Sequence, residues 1–211
     1  LELFTSQGCS SCPDADALLE ELGERQDVIA LAYHVDYWDY IGWEDTFGDK
    51  ENSKRQRDYA AAWGSSRIFT PQLVVNGECG VVGSKRDKVD AALATAKLGL
   101  EVKLSEPGDD TLDISIAGRE GHAEAVVWLV TYRERAEVDV DRGENQGKRI
   151  AYTHIVTGRQ VLGMWDPVRG AALKLPLDEG LTDEANGAAI LVQQDKDGLP
   201  GPIIGAASFT R

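Results

Sequence analysis

The stretch Cys9-Ser10-Ser11-Cys12-Pro13 decides how the first half of this 211-residue chain is interpreted. Before it, the apolar segment from Leu1 to Phe4 predicts a strand. After it, apolar residues share one helical face up to Gly23, a residue type that commonly ends a helix. The first cysteine therefore lies at a strand-to-helix junction, where unpaired backbone N–H groups and the helix dipole favour a thiolate. Two cysteines three residues apart at such a junction indicate a small disulfide ring with redox chemistry.

The composition narrows the classes of partner. A net charge of −14 argues against nucleic acid or an anionic membrane surface as the main partner, because a basic footprint is missing. No apolar run reaches the length of a membrane span. Three cysteines are too few for a disulfide scaffold, so Cys9 and Cys12 are interpreted as chemistry. Because the chain starts at Leu1, inside the expected strand, we expect that a preceding segment, such as a signal peptide, has been removed or left out.

The first hundred residues predict strands and helices in the order β-α-β, insertion, β-β-α. The apolar run Val28 to Asp36 predicts a parallel strand, which brings Cys9 and Asp36 to the same sheet edge. Residues 37–69 are an insertion, with an aromatic loop and then a helix from the capping box Ser53-Lys54-Arg55-Gln56 to about residue 63. Thr70 to Val75 and Glu78 to Val82 form a hairpin around a two-residue Asn76-Gly77 turn. Ser84 caps a last helix that reaches about residue 100.

The pattern changes from Glu101 onward. Short strand-like segments follow one another, separated by turn-rich stretches such as Pro107-Gly108-Asp109-Asp110. This pattern favours an antiparallel sandwich or an open barrel. We therefore predict an α/β chain with a first domain over residues 1–100 and an all-β, sandwich-like subdomain over 101–211, packed on it without a flexible linker.

The first hundred residues resemble the thioredoxin superfamily. The resemblance rests on Cys9-x-x-Cys12, the Thr70-Pro71 strand start, the Asn76-Gly77 hairpin and Gly83 before the last helix. In that superfamily the proline is cis and packs against the disulfide, so the resemblance implies this place for Pro71. It also implies a thioredoxin-like fold for this part of the chain.

The whole chain resembles a bacterial family of thioredoxin-like proteins known as domain-of-unknown-function family 1223. The motifs that carry this resemblance are Leu3 to Pro13, His34 to Asp39, Gly143-Glu144-Asn145 and Tyr152 to Val156. The resemblance implies a thioredoxin-like domain with a C-terminal β subdomain, usually on exported proteins. A periplasmic or secreted location is therefore expected, whereas no activity is implied.

The chemistry expected of the cysteines is a reversible dithiol/disulfide, with Cys9 attacking and Cys12 resolving. A static disulfide is the alternative. Asp14 and Asp16, in the first turn of the helix, oppose a thiolate on Cys9, and the intervening serines bring no positive charge. We therefore expect a less oxidising pair than one with a histidine between the cysteines. Many thioredoxins place a buried carboxylate six residues before the first cysteine, but that position is Leu3 here.

Two histidine-based alternatives stay open. Cys9, Cys12, Cys79 and His34 are residue types that bind zinc or copper. The expected hairpin pairs Val74 with Cys79 and so places Cys79 well down the sheet, where we predict a small buried hydrophobe. For His34 a packed core histidine is the main expectation, with a proton relay through His34 and Asp36 as the alternative. Asp36 could equally cap the loop that follows it.

The sequence leaves two possible roles for each of two loops. The aromatic residues of the insertion could form an apolar lip over the disulfide or fill the core, and we expect about half of them to do the latter. These residues are Trp38, Tyr40, Trp43 and Phe47. The loop from Arg142 to Arg149 is expected to stabilise its own backbone through Glu144 and Asn145, with a ligand site as the alternative.

Together these patterns predict thiol–disulfide exchange on a protein or small-thiol substrate. Cys9 and Cys12 are the expected catalytic residues, and Thr70, Pro71 and Trp38 the expected substrate-binding residues. We expect no cofactor, no resident metal and no nucleic-acid partner. The alternative is a non-enzymatic binding or assembly protein, or a copper or zinc carrier, on the same scaffold. The oligomeric state is not predicted.

Overall fold

The computed structural model describes residues 1–106, 110–177, 181–182 and 184–210. The predicted turn at Pro107-Gly108-Asp109 lies outside them. In chain order the regular elements are β1 (Glu2–Thr5), α1 (Pro13–Gly23), β2 (Leu31–His34), α2 (Lys50–Ala62), β3 (Gln72–Val75), β4 (Cys79–Val82), α3 (Arg86–Thr95), β5 (Val102–Ser105), β6 (Thr111–Ile116), β7 (Ala125–Asp139), β8 (Arg149–Trp165), β9 (Ala171–Pro176), β10 (Gly187–Lys196) and β11 (Leu199–Thr210). The mixed α/β composition predicted from the sequence is confirmed.

One eight-stranded sheet contains strands from both halves of the chain. Its strand order is β11-β10-β7-β8-β2-β1-β3-β4, and a second sheet has the order β5-β6-β9. β1 pairs parallel with β2 and antiparallel with β3. The two halves of the large sheet meet where β2 runs parallel to β8 and Ala32 pairs with Ile155. The long β7–β8 hairpin therefore reaches β2, the neighbour of the strand β1 that leads into the cysteines.

The strands β1, β2 and β3 are buried on both faces. Helix α1 covers one face with its apolar stripe, Ala15, Leu18, Leu19 and Leu22, which packs against Leu3 and Leu73. Tyr59 of α2 covers the other face and packs with Phe4 and Tyr33. Each such leucine contributes about 1.5–3 kcal/mol by leaving water, so the stripe fixes α1, and with it the cysteines, on the sheet.

The C-terminal half has an apolar core of its own. The small β5-β6-β9 sheet packs against β7 and β10 of the large sheet. Its buried side chains include Leu112, Ile114, Val127, Leu129, Trp165, Leu175, Ile190 and Val192. Two facing sheets with such a core form the sandwich-like arrangement that alternating strand patterns favour.

Helix α2 begins earlier than the capping box predicts. Its N-cap is Asp49, whose side chain accepts a hydrogen bond from the Glu51 N–H. Ser53 and Gln56 are instead buried on the inner side of the helix. Gln56 donates to the Phe69 carbonyl and to the Gln72 side chain, so the residues that mimic a capping box serve tertiary contacts. Helix α3 is also shorter than predicted, ending at Thr95.

The β3–β4 hairpin has a different register from the predicted one. Val75 pairs with Cys79 and Val74 with Gly80, so the connection has three residues instead of two. Asn76 and Gly77 both have positive φ, as the sequence pattern favours. Cys79 is exposed rather than buried. The prediction of a buried cysteine was wrong because β4 is the edge strand of the large sheet that the described residues form.

Candidate functional site

Cys9 and Cys12 form a disulfide at the N-terminal end of α1, with 5.4 Å between their Cα atoms. Cys12 is the N-cap residue, and its carbonyl accepts the N–H groups of Ala15 and Asp16. Cys9 is 1% exposed and Cys12 is fully buried, whereas the two serines between them are exposed. The disulfide is thus placed where a helix end favours a thiolate, but its sulfurs are covered.

A cis peptide bond joins Thr70 and Pro71, next to the first turn of α1. The contacts of Gly83 show this proximity. A methyl group placed on Gly83 would lie 3.2 Å from Ala15 Cβ and 3.5 Å from Pro71 Cβ, so no side chain fits between them. The Gly83 N–H also donates to the Pro71 carbonyl over 2.9 Å. Pro71 and the start of the cysteine-bearing helix are therefore neighbours.

Trp38 connects the predicted substrate-binding residues to the cysteine loop, residues 6–12. Its Nε1 donates to Thr70 Oγ1 over 2.7 Å. A methyl group on Gly8 would lie 3.3 Å from Trp38 Cβ and 3.1 Å from Ile41 Cδ1, so the aromatic loop, residues 37–43, packs directly against the residue before Cys9. Trp38 thus contacts both the cysteine loop and Thr70.

The other aromatic residues of the insertion divide between surface and interior. Tyr40 is 82% exposed and stacks on Trp38, with 6.4 Å between ring centroids. Trp43 donates through Nε1 to the Gln7 side chain, and Phe47 packs edge-on against His34. Trp43 and Phe47 therefore support the cysteine loop and the histidine from inside.

His34 forms a buried ion pair with Asp45. The distance from His34 Nδ1 to Asp45 Oδ2 is 2.9 Å, and neither side chain is exposed. Asp45 also accepts the Gln7 and Phe47 N–H groups. Burial works against a charged imidazole, but the charge and hydrogen bond of Asp45 raise the pKa of His34 above its usual value. Burial likewise opposes ionisation of Asp45, yet His34 and the N–H donors hold the Asp45 pKa below its usual value.

Asp16, on α1, is a buried carboxylate next to the cysteine pair, whereas the position that many thioredoxins use on β1 holds Leu3. Asp16 lies one turn after Cys12, is 6% exposed, and accepts a hydrogen bond from Thr5 Oγ1 over 2.7 Å. Burial raises its pKa to about 7, against the opposing effects of the His34 charge and the Thr5 hydrogen bond. The sequence does contain the signal for this burial. Asp16 precedes Leu19 by three residues and so shares its side of the helix.

Three buried polar atoms near this pair have no hydrogen-bond partner among the described residues. They are Asp16 Oδ2, His34 Nε2 and the Tyr152 hydroxyl. The Tyr152 ring packs edge-on against His34 with centroids 4.8 Å apart, and its pKa is raised by burial and by the charges of Asp16 and Asp45. Asp16, His34, Asp45 and Tyr152 therefore form one polar cluster, which we call the open cluster.

Asp36 does not join the open cluster. Its carboxylate accepts a hydrogen bond from Ser53 Oγ, and its backbone N–H donates to the same oxygen. Asp36 thus anchors the aromatic loop to α2, which is the capping role weighed from the sequence. The partner of His34 is Asp45, which lies eleven residues further along an irregular loop.

The loop between β7 and β8, residues 140–148, holds the cysteine loop in place, and we call it the clamp loop. Asn145 is fully buried, and its Nδ2 donates to the carbonyls of Gln7 and Cys9, both over 2.9 Å. Glu144 Oε2 accepts the Ser10 N–H over 3.0 Å. The loop was expected to stabilise its own backbone through Glu144 and Asn145, and Asn145 Oδ1 does accept a hydrogen bond from Lys148 of this loop. The main-chain partners of the two side chains lie 134–138 residues earlier, a distance that no local pattern reports.

The described residues contain no group of three or more His, Cys, Asp or Glu side chains arranged to hold a metal ion. Within the same residues, no helix is long and apolar enough to cross a membrane. The zinc or copper set considered from the sequence is thus not assembled in this structure. Cys79 lies on the outer strand β4, and partial burial together with Glu78 raises its thiol pKa.

Comparison with known proteins gives a family and a fold. A family model described as "Protein of unknown function (DUF1223)" matches residues 1–193. The chain is also similar to a crystal structure from Agrobacterium tumefaciens, determined as a structural genomics target. The two are 35% identical with a TM-score of 0.85, over 99% of this chain and 92% of the other. No functionally curated protein matches the chain. Neither match brings an activity with it.

Proposed function

The chain belongs to the DUF1223 family of proteins of unknown function, and we propose that it carries out thiol–disulfide exchange through Cys9 and Cys12 on a thioredoxin-like scaffold. One observation carries the proposal. A disulfide caps the N-terminus of α1, and a cis Thr70–Pro71 bond lies beside the first turn of the same helix. A helix end supplies the N–H groups and dipole that an attacking thiolate needs.

The element order supports the thioredoxin-like interpretation of residues 1–100. β1, α1 and β2 form a parallel β-α-β unit, and the hairpin β3–β4 with α3 follows after an insertion. In this proposal residues 101–211 are a β subdomain that extends the sheet. A periplasmic or secreted location fits the family resemblance and an oxidising compartment in which a disulfide persists.

The exchange has two balanced steps. The Cys9 thiolate attacks a substrate disulfide, a Cys9–substrate bond forms, and the other substrate sulfur leaves as a thiolate. Cys12 then loses its proton and attacks Cys9, which restores the Cys9–Cys12 disulfide and releases the second substrate thiol. Two electrons pass from the dithiol to the substrate disulfide. Run backwards, the same steps oxidise a substrate dithiol.

Asp16 is the proposed proton acceptor for Cys12. Its own backbone N–H is bonded to the Cys12 carbonyl, which places Asp16 one turn after Cys12 on α1. A carboxyl group with a pKa of about 7 can take up and release a proton at neutral pH. His34, which is paired with Asp45, acts on Asp16 against the effect of burial, because a positive charge on His34 favours ionisation of Asp16.

A substrate backbone would lie along Thr70 and Pro71. Trp38 donates to Thr70 and stacks on Tyr40, so the two rings lie beside this surface. Both cysteines are buried and the aromatic loop packs against Gly8 next to Cys9, so in this proposal the loop moves before a substrate sulfur reaches Cys9. The hydrogen bond from Trp38 to Thr70 is the contact that this movement breaks.

The burial of both sulfurs favours one other function, a binding or assembly protein whose disulfide is static. The two proposals differ in one measurable property, which is whether thiol reagents exchange with the pair while the protein stays folded.

The test is turnover of a protein disulfide with dithiothreitol as reductant, for the wild type and for Cys9→Ser, Cys12→Ser and Cys79→Ser. We expect both active-pair variants to lose turnover and Cys79→Ser to keep it. Cys12→Ser should accumulate a mixed disulfide that mass spectrometry detects, because the attacking sulfur remains. If the folded wild type does not exchange, or if Cys9→Ser turns over normally, the static function is correct.

A further inference from the structure

The clamp loop brings a carboxylate to the backbone between the two cysteines. Glu144 Oε2 accepts the Ser10 N–H, and the Ser10 hydroxyl also bonds to this carboxylate and holds its pKa below the usual value. Asn145, one residue on, fixes the Cys9 carbonyl, and Lys148 Nζ in turn donates to Asn145 Oδ1 over 2.8 Å. Glu144 is therefore an anchored charge beside Cys9 rather than a free surface side chain.

We propose that Glu144 is a positioning residue that biases the Cys9–Cys12 pair toward its disulfide form, so that its dithiol is a strong electron donor. This inference rests on the proposed exchange function and adds a direction to it. It also gives the β7–β8 hairpin a role in the chemistry of the first hundred residues.

The physical argument concerns the Cys9 thiolate. At the end of α1, free N–H groups stabilise negative charge on the first cysteine of the pair. Glu144, an exposed side chain, accepts the Ser10 N–H and so holds a negative charge against the backbone of the residue next to Cys9. A like charge nearby disfavours the thiolate and so raises the thiol pKa. Because reduction creates this thiolate, Glu144 makes the reduced pair less stable relative to the disulfide.

The other charged groups near Cys9 are the same in the wild type and in a variant of Glu144. The helix carries the acids Asp14 and Asp16, and His34 is paired with Asp45 at 2.9 Å. Lys148 donates to the neutral Asn145 side chain and keeps its positive charge, which offsets part of the effect of Glu144. Removing the Glu144 charge alone therefore measures its own contribution.

The quantity to be measured is the equilibrium constant for the reaction of the protein disulfide with two glutathione thiols, which gives the protein dithiol and glutathione disulfide. Glu144→Gln keeps an acceptor for the Ser10 N–H but removes the charge. Asp141→Asn is the matched control, because Asp141 is an exposed acid of the same loop that makes no hydrogen bond or ion pair to the described residues. Both variants lose one negative charge, so only position distinguishes them.

We expect Glu144→Gln to shift the equilibrium toward the dithiol by about three- to tenfold at low salt, and to lower the Cys9 thiol pKa, measured by the pH profile of alkylation, by about half a unit to one unit. Asp141→Asn should change both by less than about twofold. The effect of Glu144→Gln should shrink in high salt, which a purely structural role would not produce.

Two results would overturn the inference in different ways. If the wild type exchanges with glutathione and Glu144→Gln matches Asp141→Asn, the assignment of Glu144 is wrong while the exchange function stands. If the folded wild type does not exchange with glutathione or dithiothreitol, both the exchange function and the role of Glu144 are wrong.

Discussion

Two buried polar clusters lie against the first strands, and they differ in how many of their buried polar atoms have a hydrogen-bond partner. The closed cluster consists of Glu2, Arg55, Tyr59 and Gln193, and every buried polar side-chain atom of these four residues has a partner. The open cluster consists of Asp16, His34, Asp45 and Tyr152, and three of its buried atoms have none among the described residues.

This difference suggests that the closed cluster stabilises the fold, whereas the open cluster is suited to proton transfer. In the closed cluster Arg55 and Glu2 are 2.6 Å apart at 2–3% exposure, and Gln193 of β10 joins them, so the cluster ties both halves of the large sheet together. In the open cluster unpaired atoms remain beneath the disulfide, where a proton can be gained or lost. Unpaired buried groups cost stability and are therefore expected at functional sites.

The largest effect is expected from Arg55→Met. This change leaves the Glu2 carboxylate buried without its cation and should lower the free energy of unfolding by about 3–5 kcal/mol, measured in urea. The control is Arg149→Met, which removes an exposed ion pair with Glu137 and should cost less than about 1 kcal/mol. The double variant Glu2→Leu/Arg55→Met should recover most of the loss, because it leaves no unpaired charge.

If Arg55→Met and Arg149→Met unfold at the same urea concentration, the closed cluster does not hold the two halves of the large sheet together. The glutathione equilibrium of folded Arg55→Met should equal that of the wild type, since none of its contacts reaches the disulfide.

Asp16→Asn tests the open cluster through pH. The pKa of Asp16 is raised from its unfolded value to about 7, so its contribution to stability is present at low pH and is lost as pH rises through about 7. Asp16→Asn should remove this loss. Between pH 4 and pH 8, the free energy of unfolding of the variant should therefore rise by up to about 4 kcal/mol relative to that of the wild type. Urea unfolding at a series of pH values measures it.

The exposed acid of the same turn supplies the control, since Asp14→Asn should keep the wild-type pH slope. An unchanged slope in Asp16→Asn would show that Asp16 is not the titrating group. Exchange turnover should also fall in Asp16→Asn, because an amide cannot accept the Cys12 proton.

The smallest effects come from a matched pair of tyrosines. Tyr59→Phe removes a hydroxyl that donates to Glu2 and accepts from Gln193 and Arg55, and should cost about 1–3 kcal/mol. Tyr152→Phe removes a hydroxyl that has no hydrogen-bond partner among the described residues, and its free energy of unfolding should stay within about 0.5 kcal/mol of the wild type or exceed it. Equal losses in the two variants would mean that the open cluster is as fully paired as the closed one.

The sequence predicted what local patterns encode. The disulfide segment, helix α1 with its end at Gly23, and the Asn76-Gly77 turn all depend on residues close together in the chain, where capping and turn preferences act. The register of the β3–β4 hairpin failed by one residue. Turn residues limit the loop type but do not choose between two- and three-residue connections.

The parts of the site that sequence reasoning missed depend on distant contacts. Asp45 reaches His34 and Gln7 from an irregular loop, and Asn145 reaches Gln7 and Cys9 from the other half of the chain. Neither residue has a periodic or capping signature that shows its partner. Asp16 is intermediate, since its position beside Leu19 indicated burial but its identity as an acid indicated the surface.

The clamp formed by Asn145 also has a consequence for the order of events during synthesis. The residue that fixes the Cys9 carbonyl follows it by 136 positions. Contacts of such long separation form late, since the intervening chain has to be made and ordered first. The ribosome therefore delivers the cysteine pair well before the clamp loop, and the pair acquires its finished surroundings only when the β7–β8 hairpin docks. Until then, the cysteines are open to any oxidant or thiol that the nascent chain meets.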